Sequence, residues 1–252
     1  MIYLVEHFYS IQGEGRYVGV PSLFFRFAGC NMTCDGFGCQ EIAPSGVKLK
    51  GCDTIYAVNR EHYSNTWDKI KSSKELLDIL DSYNLPQGAD IVLTGGEPLI
   101  YASETIFIDF LEQVHKRGHK ICFETNGSLD VDFDKYPIYK ECVFALSVKL
   151  SNSNESYKKR VDAKVLNSIA TNSKEAFFKF SIDSKSIDTK FENEIEEIVA
   201  IAPKLQVYCM PVAYDKKELE ENTPDLIEFC KTNAYTFSDR LHIRVWDSKK
   251  GI

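Results

Sequence analysis

Apolar and polar residues alternate along the chain in two rhythms, one typical of strands and the other of helices. The segment 20–28 is rich in aromatic and β-branched residues and is bounded by Gly19 and Gly29, which predicts a strand. In 104–117 the apolar residues recur at helical spacing before a stop signal at Gly118, which predicts a helix. The same criteria predict further strands at 90–94, 121–124, 143–148, 177–182, 205–209 and 241–245, and further helices at 72–83, 161–169, 191–201 and 225–232.

Strands that alternate with helices are typical of a parallel sheet with helical crossovers. About six such units predict an α/β fold of the partial (β/α)6 barrel type, in modified form, and we expect residues 1–252 to form a single domain. The segment at about 30–54 contains several glycines and a proline, so we expect an extended loop there. Sites in such folds lie at the carboxyl ends of the strands, so the segments that follow strands are the candidates for chemistry.

The composition narrows the class of partner. The net charge of −7 disfavours a broad phosphate-binding surface, so we expect no direct contact with nucleic acid. The apolar runs are short and the first residues include Glu6 and His7, so we expect neither a membrane segment nor a signal peptide and predict a cytoplasmic protein. Four cysteines lie singly in apolar segments and are predicted to be small buried groups without chemistry, namely Cys122, Cys142, Cys209 and Cys230.

The other four cysteines, Cys30, Cys34, Cys39 and Cys52, lie in one short stretch after the first predicted strand. Three thiolates can hold three irons of a [4Fe-4S] cluster and leave the fourth iron open to a ligand. Four thiolates can instead form a zinc knuckle, and the chain would then be a non-catalytic zinc module. The cysteines alone leave both interpretations open.

A second motif favours the iron-sulfur interpretation. Thr94-Gly95-Gly96-Glu97-Pro98 follows a predicted strand, and together with the Cys30-x3-Cys34 pair it resembles the radical S-adenosylmethionine (SAM) superfamily. In that superfamily the glycines let the backbone approach SAM, and a carboxylate with backbone groups meets its ammonium. Further segments resemble the 7-carboxy-7-deazaguanine synthase family, and these are Phe8 to Gly15, Phe25 to Cys30 and Cys52-Asp53-Thr54.

The resemblance covers most of the chain and implies an enzyme of queuosine or deazapurine biosynthesis. A reduced cluster would pass one electron to SAM, and the 5′-deoxyadenosyl radical would abstract hydrogen from 6-carboxy-5,6,7,8-tetrahydropterin. Ring contraction with loss of ammonia would then give 7-carboxy-7-deazaguanine. The resemblance also implies a homodimer and an electron donor such as flavodoxin or ferredoxin. A glycyl-radical activase, which shares the cysteines and the Gly-Gly-Glu-Pro turn but acts on a protein, is the alternative enzyme.

The resemblance also implies metal ligands. The family signature of a cysteine followed by Asp-Thr belongs to Cys52, so the implied cluster ligands are Cys30, Cys34 and Cys52, and Cys39 is the competing third ligand. The spacing Cys-x3-Cys-x17-Cys departs from the usual Cys-x3-Cys-x2-Cys. A long loop between ligands costs little, because closure entropy grows only logarithmically with length. Thr54 is the implied magnesium ligand, with substrate oxygens and water completing the metal's coordination.

The remaining implied contacts fall into two groups. Substrate contacts are implied for Ile11, Gln12, Gly13, Glu14, Arg26 and Thr94, with Arg26 as the partner of the substrate carboxylate. SAM contacts are implied for Gly96, Glu124, Asn126, Ser147, Lys149 and Met210. His242, on the last predicted strand, is expected to be structural. We expect the terminal carboxylate of Ile252 near the mouth of the same site.

Overall fold

The centre of the fold is a large sheet in which most strands are parallel. The computed structural model describes residues 1–184, 187, 189–249 and 251, without the side chains of Thr189 and Lys190. The strands are β1 (Ile2–Ile11), β2 (Pro21–Phe27), β3 (Cys39–Ile42), β4 (Lys48–Gly51), β5 (Asp68–Ile70), β6 (Asp90–Gly95), β7 (Ile121–Thr125), β8 (Val143–Leu146), β9 (Glu175–Ile182), β10 (Val207–Pro211) and β11 (Thr236–Phe237).

Helices lie between most of these strands. They are α1 (Ile55–Val58), α2 (Arg60–Tyr63), α3 (Ser73–Ser82), α4 (Thr105–Lys116), α5 (Tyr157–Arg160), α6 (Ala163–Asn172), α7 (Thr189–Ile201), α8 (Lys216–Asn233) and α9 (Leu241–Trp246). Within the described residues, no helix combines the length and the apolar character that crossing a bilayer requires.

The order of the strands sets the position of the site. The large sheet has the order β11-β10-β9-β8-β7-β6-β2-β1-β5, and β3 pairs with β4 in a separate hairpin. Neighbouring strands from β2 to β11 in this order run parallel, whereas β1 is antiparallel to both β2 and β5. The carboxyl ends of the parallel strands therefore meet at one edge of the sheet. The predicted α/β class with a mostly parallel sheet is confirmed.

Side chains of the parallel strands alternate between two apolar layers. On the face covered by helices, Phe25, Phe123 and Phe144 are fully buried, and the rings of Phe123 and Phe144 stack with centroids 5.1 Å apart. On the opposite face, Phe24 and Cys122 belong to a smaller apolar layer. Burying one such phenylalanine contributes about 1.5–3 kcal/mol to folding, so these layers stabilise the strands whose ends carry the site. The four cysteines predicted to be buried, Cys122, Cys142, Cys209 and Cys230, are all buried.

The strand predicted at 241–245 is wrong, because this segment forms helix α9. Leu241, Ile243 and Val245 alternate with polar residues as a strand would, but only Ile243 is buried, against Ala213 and Leu219. Val245 is 48% exposed. The alternation therefore did not mark the face of a strand, and the last described strand is the short β11.

Other elements differ from the prediction as well, and the short elements β5, β11, α1, α2 and α5 were not predicted. Helix α8 begins well before residue 225, because Asp215 caps it by accepting the N–H of Glu218. The prediction missed this start because the first two turns of the helix are charged and carry little apolar pattern. Strand β1 was not predicted, although Ile2 and Leu4 are fully buried in it. The predicted loop at about 30–54 contains the β3–β4 hairpin, which pairs Cys39 with Gly51 at its base.

Candidate active site

A cavity of about 680 Å³ opens at the carboxyl edge of the sheet. Its volume is in the range of small-molecule sites. The structure brings together in its lining every site residue predicted from the sequence, namely Ile11, Gln12, Gly13, Glu14, Arg26, Cys30, Cys34, Cys52, Thr54, Thr94, Gly96, Glu124, Asn126, Ser147, Lys149 and Met210. Gly251 also lines the cavity, whereas Ile252 lies outside the described residues.

A buried lysine joins two carboxylates in this lining. Lys179 Nζ lies 3.0 Å from Glu14 Oε2 and 3.0 Å from Glu124 Oε1. Burial by itself would raise the pKa of Glu14 and of Glu124, but the charge of Lys179 lowers both below their usual value. Burial would lower the pKa of Lys179, and the two carboxylates more than reverse that effect. All three groups therefore carry charge at neutral pH.

Two residues near the end of the chain approach Glu14 from the opposite side. Arg240 Nε donates to Glu14 Oε1 at 2.8 Å, and Arg240 Nη2 lies 3.6 Å from Asp53 Oδ2. His242 Nε2 lies 3.7 Å from Glu14 Oε1, and burial lowers the pKa of this histidine. A Cβ added at Gly13 would lie 2.2 Å from His242 Nδ1, so the loop passes directly over the imidazole. His242 is therefore a part of the site and lies on helix α9.

Sequence reasoning did not assign Lys179 or Arg240 to the site. A signal existed for Lys179, since it lies between Phe178 and Phe180 on β9, where a buried strand has no ordinary use for a lysine. Arg240 offered none, because it lies in a polar loop between β11 and α9.

Arg26 enters the cavity from β2 and is held by β1. Its Nε donates to Glu6 Oε1 at 2.6 Å, and the two residues are direct partners in the β1–β2 register. The Tyr56 hydroxyl donates to the same oxygen at 3.0 Å. Deeper in the cavity, the Thr94 hydroxyl donates to Glu124 Oε2 at 2.9 Å and the Gln12 amide donates to Glu124 Oε1 at 3.3 Å.

All four cysteines line the cavity, and Cys52 lies near each of the other three. Burial raises the pKa of Cys30 to about 12, and the charges of Cys34 and Cys52 add to this effect because these thiols lie nearby. Burial raises the pKa of Cys39 to about 11, while a hydrogen bond with the Tyr214 hydroxyl opposes it. Among the described residues, no three His, Cys, Asp or Glu side chains form a group that could hold a single metal ion.

The Gly-Gly-Glu-Pro turn lies against the end of β2, beside the first cysteine. A Cβ added at Gly96 would lie 2.1 Å from the Gly29 carbonyl oxygen, so this position requires glycine for the close approach of two backbones. The Glu97 carboxylate is fully buried and accepts from the Leu99 N–H, the Thr125 hydroxyl and the Asn126 N–H. The carboxylate of this turn therefore holds two loops together and is not among the residues that line the cavity.

The loops after β7 and β8 complete the lining. The Asn126 amide donates to Asn31 Oδ1 at 2.9 Å, which links the β7 loop to the segment between Cys30 and Cys34. Lys149 Nζ donates to Ser147 Oγ at 3.1 Å. Met210 is buried at the end of β10 and lines the same cavity.

Residues 11–170 match a family described as the 4Fe-4S single cluster domain. The chain belongs to the 4Fe-4S single cluster domain family. The match contains Cys30, Cys34, Cys39 and Cys52, and it decides between the two interpretations of these cysteines in favour of the iron-sulfur cluster.

Comparisons with individual proteins extend this family assignment over the whole chain. The 7-carboxy-7-deazaguanine synthase of Clostridium acetobutylicum is 28% identical, covering 99% of this chain and 98% of its own. The protein of the same name in Halobacterium salinarum is 26% identical, covering 96% of this chain and 89% of its own. The crystal structure of QueE from Escherichia coli superposes with a TM-score of 0.66 at 20% identity, covering 96% of this chain and 94% of QueE. The resemblance in sequence is confirmed, and the fold is shared with QueE.

Proposed function

We propose that this chain is a 7-carboxy-7-deazaguanine synthase formed by a single domain over residues 1–252. The reaction converts 6-carboxy-5,6,7,8-tetrahydropterin to 7-carboxy-7-deazaguanine with loss of ammonia, using SAM and a [4Fe-4S] cluster. The observation that carries the proposal is one cavity whose lining contains Cys30, Cys34, Cys39 and Cys52 together with the buried group of Glu14, Lys179 and Glu124. Relatives of that name over nearly the full length support the same reaction.

The carboxylates of Glu14 and Glu124 bind the edge of the pterin that carries hydrogen-bond donors. Because Lys179 lowers the pKa of Glu14 and of Glu124, both are ionised and accept N–H groups from the guanidine-like edge of the ring. Lys179 also compensates their charge, which lets two carboxylates lie together in one buried pocket. Gln12 and Thr94 donate to Glu124 and fix its orientation.

Arg26 binds the carboxylate at the opposite end of the substrate. Since Glu6 holds the Nε side of the guanidinium, the terminal nitrogens are the ones directed to the substrate carboxylate. A guanidinium held in one orientation binds a carboxylate more strongly than a free side chain, because less rotamer entropy is lost on binding. Ile11 and Gly13 contribute backbone groups to the same pocket.

The thiols of Cys30, Cys34 and Cys52 are a suitable donor set for a [4Fe-4S] cluster, which has one iron more than these three ligands. When bound, such a cluster supplies one electron to SAM at the open iron. We assign the SAM side of the cavity to Gly96, Asn126, Ser147, Lys149 and Met210. Glu124, which contacts Thr94 and Lys179, lies where the SAM side and the substrate side meet.

Thr54 is proposed as the magnesium ligand. Its hydroxyl lies 3.5 Å from the Cys52 sulfur and lines the cavity, and a hydroxyl oxygen suits a hard cation. The same cation would need substrate oxygens and water to complete its six ligands. Asp53, the neighbouring carboxylate, lies near Arg240.

We also propose that the protein works in the cytoplasm as a homodimer and receives its electrons from a flavodoxin or a ferredoxin. The dimer and the electron donor are supported by the resemblance to the synthase family, and the location by the short apolar runs of the sequence. Sedimentation of the purified chain tests the dimer. Reduction of the cluster by each purified electron donor tests the third statement.

The reaction is tested with enzyme reconstituted without oxygen and supplied with the carboxypterin, SAM, magnesium and a reductant. The expected products are 7-carboxy-7-deazaguanine and one equivalent of ammonia. SAM cleavage without a deazaguanine product would contradict the proposed substrate, since the cluster and the SAM site would then work on a different molecule. Omitting magnesium in a parallel reaction, after treatment with a chelator, is expected to lower the rate.

A further inference from the structure

A carboxylate from outside the predicted motifs holds the turn between the first two cysteines. The Glu155 side chain is 8% exposed. Its Oε1 accepts the Thr33 N–H at 2.5 Å, the Thr33 hydroxyl at 3.1 Å and the Cys34 N–H at 3.1 Å. One carboxylate oxygen therefore fixes the backbone on the amino side of a cluster ligand.

The segment 151–155, which we call the β8 corner, packs against the chain around Cys34. Cys34 has a φ of +50°, a left-handed conformation that a residue with a side chain adopts only when its surroundings hold it. A Cβ added at Gly36 would lie 2.2 Å from the Asn152 carbonyl oxygen, so the segment that directly follows Cys34 packs against the β8 corner. The Asn154 amide also donates to Asp35 Oδ1 at 3.2 Å.

The β8 corner is itself held by a buried arginine. Arg160 donates from Nε to the Glu155 carbonyl at 3.0 Å and from Nη1 to the Lys149 carbonyl at 2.8 Å. The same guanidinium pairs with Glu194 on α7, which accepts the Ser151 N–H at 3.0 Å. The position of Glu155 is therefore fixed relative to Lys149, which we assign to the SAM side.

This arrangement directs two backbone N–H groups to a carboxylate. N–H groups that point at the sulfurs of an iron-sulfur cluster raise its reduction potential, and a nearby negative charge lowers it. The N–H groups of Thr33 and Cys34 are bonded to Glu155, and the carboxylate adds its charge beside Cys34. Both effects favour a low potential, which the one-electron reduction of SAM requires.

We propose that Glu155 is a positioning residue of the cluster, which holds Cys34 in its ligand conformation and keeps the potential of the cluster low. The inference rests on Cys34 being a cluster ligand, as in the proposed function, but not on the identity of the substrate. Lys159, whose Nζ lies 2.7 Å from Glu155 Oε2, opposes the effect of the carboxylate because it adds positive charge on the same side.

The test is a redox titration of the reconstituted cluster, followed by electron paramagnetic resonance without SAM or pterin. Glu155→Gln has nearly the shape of the natural side chain without its charge, so we expect a more positive midpoint potential with unchanged iron content. The expected size of the shift in midpoint potential is about 59 mV, which for one electron is a tenfold change in the ratio of reduced to oxidised cluster. Lys159→Gln leaves the bonds to Thr33 and Cys34 in place and is expected to shift the potential in the opposite direction.

Glu112→Gln, an exposed position on α4, is the matched control and is expected to leave the potential unchanged. A wild-type midpoint potential in Glu155→Gln would overturn the inference. If Glu155→Gln does not retain iron, Lys159→Gln decides, and an unshifted potential in that variant overturns the inference. Because no pterin is used, failure to form a deazaguanine would leave this result standing, whereas a wild-type chain that binds no iron would refute both proposals.

Discussion

The ammonium of Lys179 lies 3.0 Å from the carboxylate of Glu124, and both side chains are largely buried between the sheet and the cavity. Glu14 occupies the opposite side of the same ammonium. The contact joins the middle of β9 to the end of β7, so it connects the interior of the sheet with the loops that line the cavity.

Replacement of Lys179 by methionine keeps the volume of the side chain and removes the cation. Glu124 then loses its counter-ion and Glu14 keeps Arg240 but loses Lys179, so we expect the free energy of unfolding to fall by about 3–5 kcal/mol. Urea unfolding followed by circular dichroism measures the change. Lys74→Met is the matched control, because Lys74 pairs with Asp78 on the surface, and its cost is expected below about 0.5 kcal/mol. Equal losses in both variants would contradict a special role for Lys179.

The difference between wild type and Lys179→Met is expected to depend on pH. In the wild type the pKa values of Glu14 and Glu124 are below the usual 4.5, so their stabilising contribution is present above that pH and is lost as the pH falls through the folded values. Without Lys179, we expect burial to raise the pKa of Glu124, whereas Arg240 still lowers that of Glu14, so the contribution is smaller. The two unfolding free energies should therefore converge below about pH 4.5. A difference that stays constant from pH 7 to pH 3 would show that the carboxylates are not its cause.

Arg26→Gln tests the partner of the substrate carboxylate. Loss of a charge-assisted pair of about 1.5–3 kcal/mol is expected to weaken binding of the carboxypterin roughly 10- to 100-fold. A tetrahydropterin without the carboxylate should bind equally to wild type and variant, as measured by titration calorimetry. Arg244→Gln, which breaks an ion pair with Asp239 on the rim, is the control. Similar weakening for both ligands would indicate a general distortion of the pocket.

Cys52→Ala and Cys39→Ala distinguish the two candidates for the third ligand. The Cys39 thiol forms a hydrogen bond with the Tyr214 hydroxyl, and Cys52 is the thiol that lies near all of the other three. We expect Cys52→Ala to lose the cluster and Cys39→Ala to retain it. Iron and sulfide per chain in oxygen-free preparations give the answer. Loss of iron in Cys39→Ala, with retention in Cys52→Ala, would exchange the two assignments.

The hydrophobic pattern predicted the parallel strands β2 and β6 to β10 well because their side chains are buried on both faces, whereas the short parallel strand β11 has no buried residue and was missed. β6 is an example, since Ile91 and Leu93 belong to one apolar layer and Val92 to the other. The pattern failed for α9 and for the start of α8, where few side chains are buried and capping or contacts from distant elements decide the conformation. Local periodicity carries no information about such contacts.

The candidate site was predictable where a motif directly follows a strand. Cys30, Gly96 and Ser147 follow β2, β6 and β8, and a parallel sheet brings these ends together. Arg240 and Glu155 were not predictable, because each reaches the site only through long-range contacts, Arg240 to Glu14 and Asp53 and Glu155 to Thr33 and Cys34. No fixed spacing in the sequence marks such a pair.

The hairpin of β3 and β4 changes how proteins of this kind should be recognised. The first residue of β3, Cys39, pairs with the last residue of β4, Gly51. Residues can therefore be added to or removed from the tip of the hairpin without displacing Cys52. A pattern scan that demands a constant interval between the second and third thiols would discard this protein. The Asp-Thr pair after Cys52 is a better marker of such proteins. The exposed tip around Gly46 is also a suitable place to attach a fluorescent label or an affinity tag.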